Sequence, residues 1–174
     1  HQCASRLPPL VGAARESGMS LLRFPAFALV SAALAFGASA DPMEVTPLSI
    51  SSADATHEFS VEVANDPDEI SFGLMERESM DADKGMLFDF TPPREPAMYM
   101  KNTLIPLDML FISSDGSIEM IARNTVPGSL RTISPGVPVK AVLELNGGLA
   151  AELGIQPGDT VQHPIFGNVE TAAE

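Results

Sequence analysis

The sequence predicts a mainly β protein: a compact, antiparallel, barrel-like domain with two short helices. Three observations support this fold class. Several short stretches alternate apolar and polar residues, turn-forming residues separate them at close spacing, and only two segments carry helix start or stop signals. The length of 174 residues fits one such domain behind an N-terminal extension.

The first half of the predicted domain contains a strand, a helix and a second strand. Residues 59–63 alternate apolar and polar side chains, which is the pattern of a half-buried strand. A short helix should follow, because Asp66 can cap it, Pro67 suits its first position and Gly73 can end it. Residues 86–90 then alternate again and predict the second strand.

The middle of the chain is predicted to add strands and one long loop. Residues 97–102 alternate and predict a strand, and residues 107–113 predict another. The Ser-Asp-Gly sequence at 114–116 is a hairpin signal, so residues 117–122 should return antiparallel. Residues 124–138 contain five Pro or Gly residues and are interpreted as a surface loop.

The C-terminal part is predicted to contain a strand over 139–145, a helix over 148–153 and a last strand over 160–163. Residues 41–56 show no sustained period, so they are interpreted as a linker or a loosely attached first strand. The domain would therefore span 57–167 and leave a flexible tail over 168–174.

The first 40 residues are interpreted as an upstream extension followed by a signal peptide. Position 1 is His, and Met19 is the natural alternative start. Arg23 supplies a positive charge, residues 24–36 are apolar, and Ala-Ser-Ala precedes a cleavage point after Ala40. A retained membrane anchor is the alternative, although the apolar stretch is short for a span. The expected location is therefore the periplasm or the exterior.

Composition limits the partners of the mature protein. The chain has 10 basic and 23 acidic residues, and losing residues 1–40 would leave 7 and 22, a net charge of −15. Because nucleic-acid binding relies on Lys and Arg at phosphates, nucleic acids and anionic membranes are not expected partners. The only Cys, Cys3, lies upstream of Met19, so a hydrophobic core must stabilise the mature domain without disulfides.

Several short blocks occur in a fixed order along the chain, at residues 73–75 (Gly-Leu-Met), 85–88 (Gly-Met-Leu-Phe), 100–103 (Met-Lys-Asn-Thr), 105–108 (Ile-Pro-Leu-Asp), 143–145 (Leu-Glu-Leu) and 158–159 (Gly-Asp). Over about residues 59–163, this pattern resembles a bacterial and archaeal family known as domain of unknown function 192. The resemblance implies a compact, largely β fold with small helices, and no settled activity. The family usually has Phe-Trp where this chain has Met98-Tyr99, so Tyr99 is a candidate for stacking on a ligand.

The polar residues of these blocks are the main candidates for a binding site, because they lie beside long apolar runs: Arg77, Lys101, Asn102, Asp108 and Glu144. One hypothesis is that the three cationic or amide side chains hold a small anionic or peptide-like ligand while the carboxylates fix them in place. The alternative is a structural ion network that sets strand register. Convergence of all five on one open pocket would favour the first hypothesis.

The sequence therefore predicts an exported domain that binds a small ligand or a protein partner without catalysis and without a cofactor. Two alternatives stay open. An enzyme could use Asp108 or Glu144 as general acid or base, with Lys101, Asn102 or Arg77 stabilising an anion. A soft-metal carrier could bind Cu(I) through Met98 and Met100, although core packing is the favoured explanation of two Met residues at positions i and i+2 of a strand.

Overall fold

A computed structural model describes residues 42–169 of the chain. It contains seven strands and two short helices, in the order β1 (Val45–Ser51), β2 (Thr56–Ala64), α1 (Pro67–Phe72), β3 (Lys84–Arg94), β4 (Leu107–Ile112), β5 (Ile118–Thr125), β6 (Val139–Asn146), α2 (Leu149–Glu152) and β7 (Thr160–Gln162), followed by a 3₁₀ turn over Pro164–Phe166.

The strands form one curled sheet in the order β5-β4-β6-β3-β2-β1-β7. Every neighbouring pair is antiparallel except β2 and β3, which are parallel because α1 carries the chain across between them. The two edge strands of this sheet, β5 and β7, approach each other at one end. There Ile118 N donates to Asp159 O at 2.9 Å, and Ser117 forms a β-bridge with Thr160. The predicted mainly β, barrel-like fold with two short helices is therefore confirmed.

The inside of the curl is an apolar core to which all seven strands contribute. Its members alternate along each strand, as Leu48 and Ile50 do on β1 and Leu143 and Leu145 do on β6. Ala150 and Ile155 close it beside α2. This interior explains why the domain needs no disulfide, since burial of these side chains supplies the main stabilising free energy.

The outer face of the central strands carries a second core, rich in Met and Phe. Phe88 and Phe90 of β3, Met109 and Phe111 of β4, and Val142 of β6 are all buried there. Residues of α1, of the segment before β4 and of the loop after β5 cover this face. The central strands are consequently buried on both faces, unlike the edge strands.

The capping and termination signals in the sequence predicted the position of α1 correctly. The Asp66 carboxylate accepts from Asp68 N and Glu69 N, both at 2.9 Å, and Glu69 bonds back to the Asp66 N–H. The chain leaves the helix at Gly73, whose φ of 51° suits a residue without a side chain. The hairpin of β4 and β5, the strand β6, the helix α2 and the strand β7 also form where predicted.

Two predicted segments differ from the structure. Residues 41–56, interpreted as a linker or a loosely attached first strand, contain β1, which is firmly paired with both β2 and β7 and buries Leu48 and Ile50. Residues 97–102, predicted as a strand, contribute only a single bridge between Met98 and Ile133 and then turn at Asn102, where φ is 54°. Alternation of side chains was a misleading signal there.

The predicted upstream extension and signal peptide, together with the last residues of the predicted tail, lie outside the described residues. Among residues 42–169, no helix has the length and apolar character needed to cross a bilayer.

Candidate functional site

Glu144 occupies a central position on β6, between two methionines. The strand register sets it directly opposite Met86 on β3 and Met109 on β4, and both of these side chains are completely buried. Since side chains alternate along a strand, Glu144 faces the outer core while Leu143 and Leu145 face the inner one. A carboxyl group therefore stands in the middle of the Met- and Phe-rich face, with only 4% of the residue exposed.

The Glu144 carboxyl has no protein partner within the described part of the chain. No hydrogen bond or ion pair reaches it from any residue between 42 and 169. Burial raises the pKa of this carboxyl from 4.5 to about 8. The group is then mostly protonated at neutral pH, because the low-dielectric surroundings penalise its charged form.

Glu144 lines a cavity of about 350 Å³. The walls come from the end of α1, from β3 and from the segment that follows β3, and they are largely aromatic or apolar, with Phe72, Phe88, Phe90, Met98 and Tyr99 among them. The polar contributors include Arg94, Glu95 and the Thr103 hydroxyl. Tyr99 and Phe72 are partly exposed at 42% and 53%, so the cavity opens to solvent on that side.

Local backbone features hold this cavity open. At Gly73 a Cβ atom would lie 3.0 Å from the Phe88 ring, so the chain can pass close to that ring only without a side chain. The opposite wall is fixed to the loop before β6, because Met98 and Ile133 exchange both backbone hydrogen bonds at 2.9 and 2.8 Å. The cavity is thus shaped by two elements that the sheet itself anchors.

Asp108 lies on the other side of the sheet from Glu144. Its neighbours Leu110 and Ile112, two and four positions along β4, belong to the inner core. The residue is 0% exposed, and its carboxylate accepts three backbone hydrogen bonds, from Asn124 N at 2.6 Å, Gly148 N at 3.0 Å and Ala150 N at 2.8 Å. Asp108 therefore ties the end of β5 and the start of α2 to β4.

The other predicted candidates lie elsewhere. Arg77 forms a two-point ion pair with Glu62 of β2, in a separate surface recess beside Lys84. Lys101 is exposed and, within residues 42–169, pairs with no carboxylate. Asn102 forms the adjacent turn, and its carbonyl accepts from Glu76 N at 2.8 Å.

The expected convergence on one pocket is therefore wrong. Lys101 and Asp108 do not meet, and Arg77 and Asn102 lie outside the cavity that contains Glu144. Only Glu144 and Tyr99 of the predicted set share it. The sequence reasoning missed Phe72, Phe88 and Thr103, whose positions depend on how the chain covers the outer face. The one sequence signal for these cavity residues was the Gly-Met-Leu-Phe block. It places Phe88 on β3, the strand that pairs with β6 next to Glu144.

The two methionines of the soft-metal hypothesis have different surroundings. Met98 is partly buried and lines the cavity, whereas Met100 is buried in the outer core and accepts from the Thr125 hydroxyl at 3.1 Å. They do not form an exposed, convergent pair of sulfurs. Across the residues that the structure describes, no group of three or more His, Cys, Asp or Glu residues is arranged to hold a metal ion.

The chain is similar to two solved structures. A proposed transcription regulator from Sinorhizobium meliloti 1021 is 45% identical, with a TM-score of 0.70, and the match covers 71% of this chain and 97% of that one. A protein of unknown function from Novosphingobium aromaticivorans DSM 12444 is 37% identical, with a TM-score of 0.68, over 72% of this chain and 94% of that one. A comparison with curated proteins gave no match.

A family profile matches residues 48–163, which is most of the described domain. The family is domain of unknown function 192, described as an uncharacterized ACR. Its match begins within β1 and ends directly after β7, so it covers the whole sheet. The chain therefore belongs to the domain of unknown function 192 family.

Proposed function

We propose that this protein is an exported domain that binds a small ligand in the Glu144 cavity without transforming it. The observation that carries the proposal is a buried carboxyl with no protein partner in the wall of an open, aromatic cavity. The carboxyl oxygens have no protein partner and lie at the cavity surface, so they are open to a hydrogen-bonding partner that enters the cavity. A concave recess that combines aromatic walls with a few polar groups is also the usual form of a small-molecule site.

Binding is favoured over the carboxylate-dependent enzyme for a geometric reason. The enzyme hypothesis uses Asp108 or Glu144 as acid or base with a nearby cation to stabilise an anion. Asp108 is saturated by three backbone N–H groups on the far face, and Lys101 and Arg77 are outside the cavity. The cation that does line the cavity, Arg94, lies over the Phe90 ring, and within residues 42–169 no hydrogen bond joins it to Glu144.

The Sinorhizobium relative is named as a proposed transcription regulator, but we do not propose DNA binding for this chain. The full chain carries a net charge of −13, and an acidic surface repels the phosphate backbone whose neutralisation gives most protein–DNA affinity. We therefore propose a small molecule, and not a nucleic acid, as the partner.

Export is the second part of the proposal, and it rests on the signal-peptide pattern of residues 19–40. Expression of the chain from Met19 in a Gram-negative host should give a periplasmic protein whose first residue is Asp41. N-terminal sequencing of the periplasmic fraction tests this, and a variant with Ala38 and Ala40 changed to Leu should retain its leader. An unprocessed cytoplasmic protein would contradict export while leaving the cavity proposal unaffected.

Filling the cavity mouth should abolish ligand binding. Ala97 is exposed and lines the cavity, so Ala97→Trp would place an indole in the opening without altering the core. A fragment library titrated against ¹⁵N-labelled protein should shift the amides of Gly73 and Tyr99 in the parent chain, with affinity at least about tenfold weaker in the variant. Ala151→Trp, on the exposed side of α2, is the matched control and should bind normally.

The outcome that would contradict the binding proposal is equally direct. If no fragment perturbs the cavity amides of the parent chain, or if the two Trp variants respond alike, the Glu144 cavity is not a binding site.

A further inference from the structure

We infer that the ligand of the Glu144 cavity is a small organic ammonium ion. The inference rests on the proposed function and adds the chemical class of its ligand. It also replaces the anionic or peptide-like ligand expected from the sequence. The cations Arg77 and Lys101 lie outside this cavity, and the guanidinium of the cationic lining residue Arg94 lies over the Phe90 ring.

The unpartnered carboxyl is the first reason. A buried carboxylate is stable only when a positive charge or hydrogen-bond donors accompany it, and no described residue provides either to Glu144. Any ammonium group brings the positive charge into the cavity, and one that carries N–H groups brings hydrogen-bond donors as well. An anionic ligand would instead place two acidic groups together, which is unfavourable in a low-dielectric site.

The aromatic walls are the second reason. Phe72, Phe88, Phe90 and Tyr99 line the cavity that Glu144 enters, and aromatic faces attract cations through the ring quadrupole. The chain already shows this interaction at the cavity rim, where the Arg94 guanidinium lies 4.6 Å from the centre of the Phe90 ring. Aromatic cages combined with a carboxyl group are well suited to methylated ammonium ions, which need no strong hydrogen bond.

The net charge of the chain and the ligand preferences of metal ions further limit the class of ligand. The net charge of −13 attracts cations to the surface and raises their local concentration at its openings. A hard metal cation is a poor occupant, because Ca²⁺ takes six to eight oxygen ligands and this cavity offers two carboxyl groups, those of Glu144 and Glu95, among rings and thioethers. An organic cation with an apolar body matches both the charge and the walls.

Binding should release a proton from Glu144. The carboxyl pKa is raised to about 8 by burial, so the cation must bind the minority ionised form below that pH. The charged or titratable residues that face the cavity are Arg94 and Glu95 from the end of β3 and Tyr99 from the following segment, while Met86 and Met109 flank Glu144 on the neighbouring strands. None of the three cavity residues bonds to the Glu144 carboxyl.

A matched pair of probes tests the inference: choline, which carries a permanent charge, and 3,3-dimethylbutan-1-ol, its neutral isostere. Each is titrated against the purified chain by NMR at about pH 6 and about pH 9. Choline affinity should rise with pH by up to about 100-fold, because ionised Glu144 goes from about 1% to most of the population. The alcohol should change by less than about threefold, since it gains nothing from a charged carboxyl.

The Glu144→Gln variant keeps the shape of the side chain and removes its charge. It should bind choline with no pH dependence and with only the smaller preference over the alcohol that the aromatic walls provide, while cooperative unfolding confirms that it is folded. Equal choline and alcohol affinities in the parent chain, or no choline binding at either pH, would overturn the ammonium inference. In that case, fragments that still bind at the cavity amides and are blocked by Ala97→Trp would leave the proposed function standing.

Discussion

Replacing Asp108 with Ala should destabilise the folded protein by about 4 kcal/mol or more, which is large for one substitution. The carboxylate is completely buried and accepts from Asn124 N, Gly148 N and Ala150 N. Removal of the carboxylate would leave the buried Ala150 N–H without a partner and break two part-buried hydrogen bonds, from Asn124 N and Gly148 N. A lost hydrogen bond to a charged group, or a buried N–H left unsatisfied, costs about 1–3 kcal/mol. Urea unfolding followed by circular dichroism measures the change in free energy of unfolding.

Asp108→Asn provides a graded comparison for this prediction. An amide oxygen in place of Oδ1 can still accept from Asn124 N and Gly148 N, but the amide nitrogen would then face the Ala150 N–H. Its loss of stability should fall between those of the parent chain and the Ala variant. Asp54→Ala, in an exposed turn, should change the stability by less than about 0.5 kcal/mol. A loss below about 1 kcal/mol for Asp108→Ala would refute the structural role given to this carboxylate.

The elements predicted correctly from sequence are those that local chemistry specifies. The helix α1 begins at a capping box and ends at a glycine, and both signals lie within eight residues of each other. The β4–β5 hairpin likewise depends on a short turn, in which the Asp115 carboxylate accepts from Ser113 and Ser117. Such features need no knowledge of the distant chain.

The misplaced site candidates have one physical cause, which is that the central strands are buried on both faces. Alternation correctly sent Glu144 to the face opposite Leu143 and Leu145, but it could not show that a second core covers that face. Asp108 was grouped with Glu144 by its polarity, yet their strand positions place them on opposite sides. Their separation depends on the register of β4 against β6, which is a long-range property.

Residues 97–102 are a second case in which side-chain alternation alone gave a wrong prediction. Its alternating apolar residues pack as a strand would, with Met98 and Met100 against the outer core. The backbone, however, pairs at only one residue and then turns, since Thr103 N donates to Met100 O at 3.1 Å and Asn102 takes a left-handed conformation. Asn tolerates that conformation better than most residues, so the Met-Lys-Asn-Thr block is explained by the turn that it forms.

Glu144→Gln should make the protein more stable than the parent chain at alkaline pH, by up to about 4–5 kcal/mol above pH 8. The pKa of Glu144 is about 8 in the folded protein and 4.5 for the ordinary side chain. The folded state therefore retains a proton that the unfolded state releases between these two values. The parent chain loses about 1.4 kcal/mol per pH unit across this window, because the unfolded state binds fewer protons there.

The sign of this effect distinguishes Glu144 from an ordinary surface carboxylate. Its contribution is fully present below about pH 4.5 and is lost as the pH rises through about 8, whereas a neutral Gln at the same position does not titrate. The difference in unfolding free energy between the two proteins should thus grow with pH and reach a plateau above 8. Taking the difference cancels the titration of residues that both proteins share, such as His163, whose pKa burial lowers. A stability difference that stays constant from pH 5 to 9 would contradict this prediction. It would mean that a counter-charge or water compensates the Glu144 carboxylate in the folded protein. The unpartnered carboxyl on which the ligand proposal depends would then not exist.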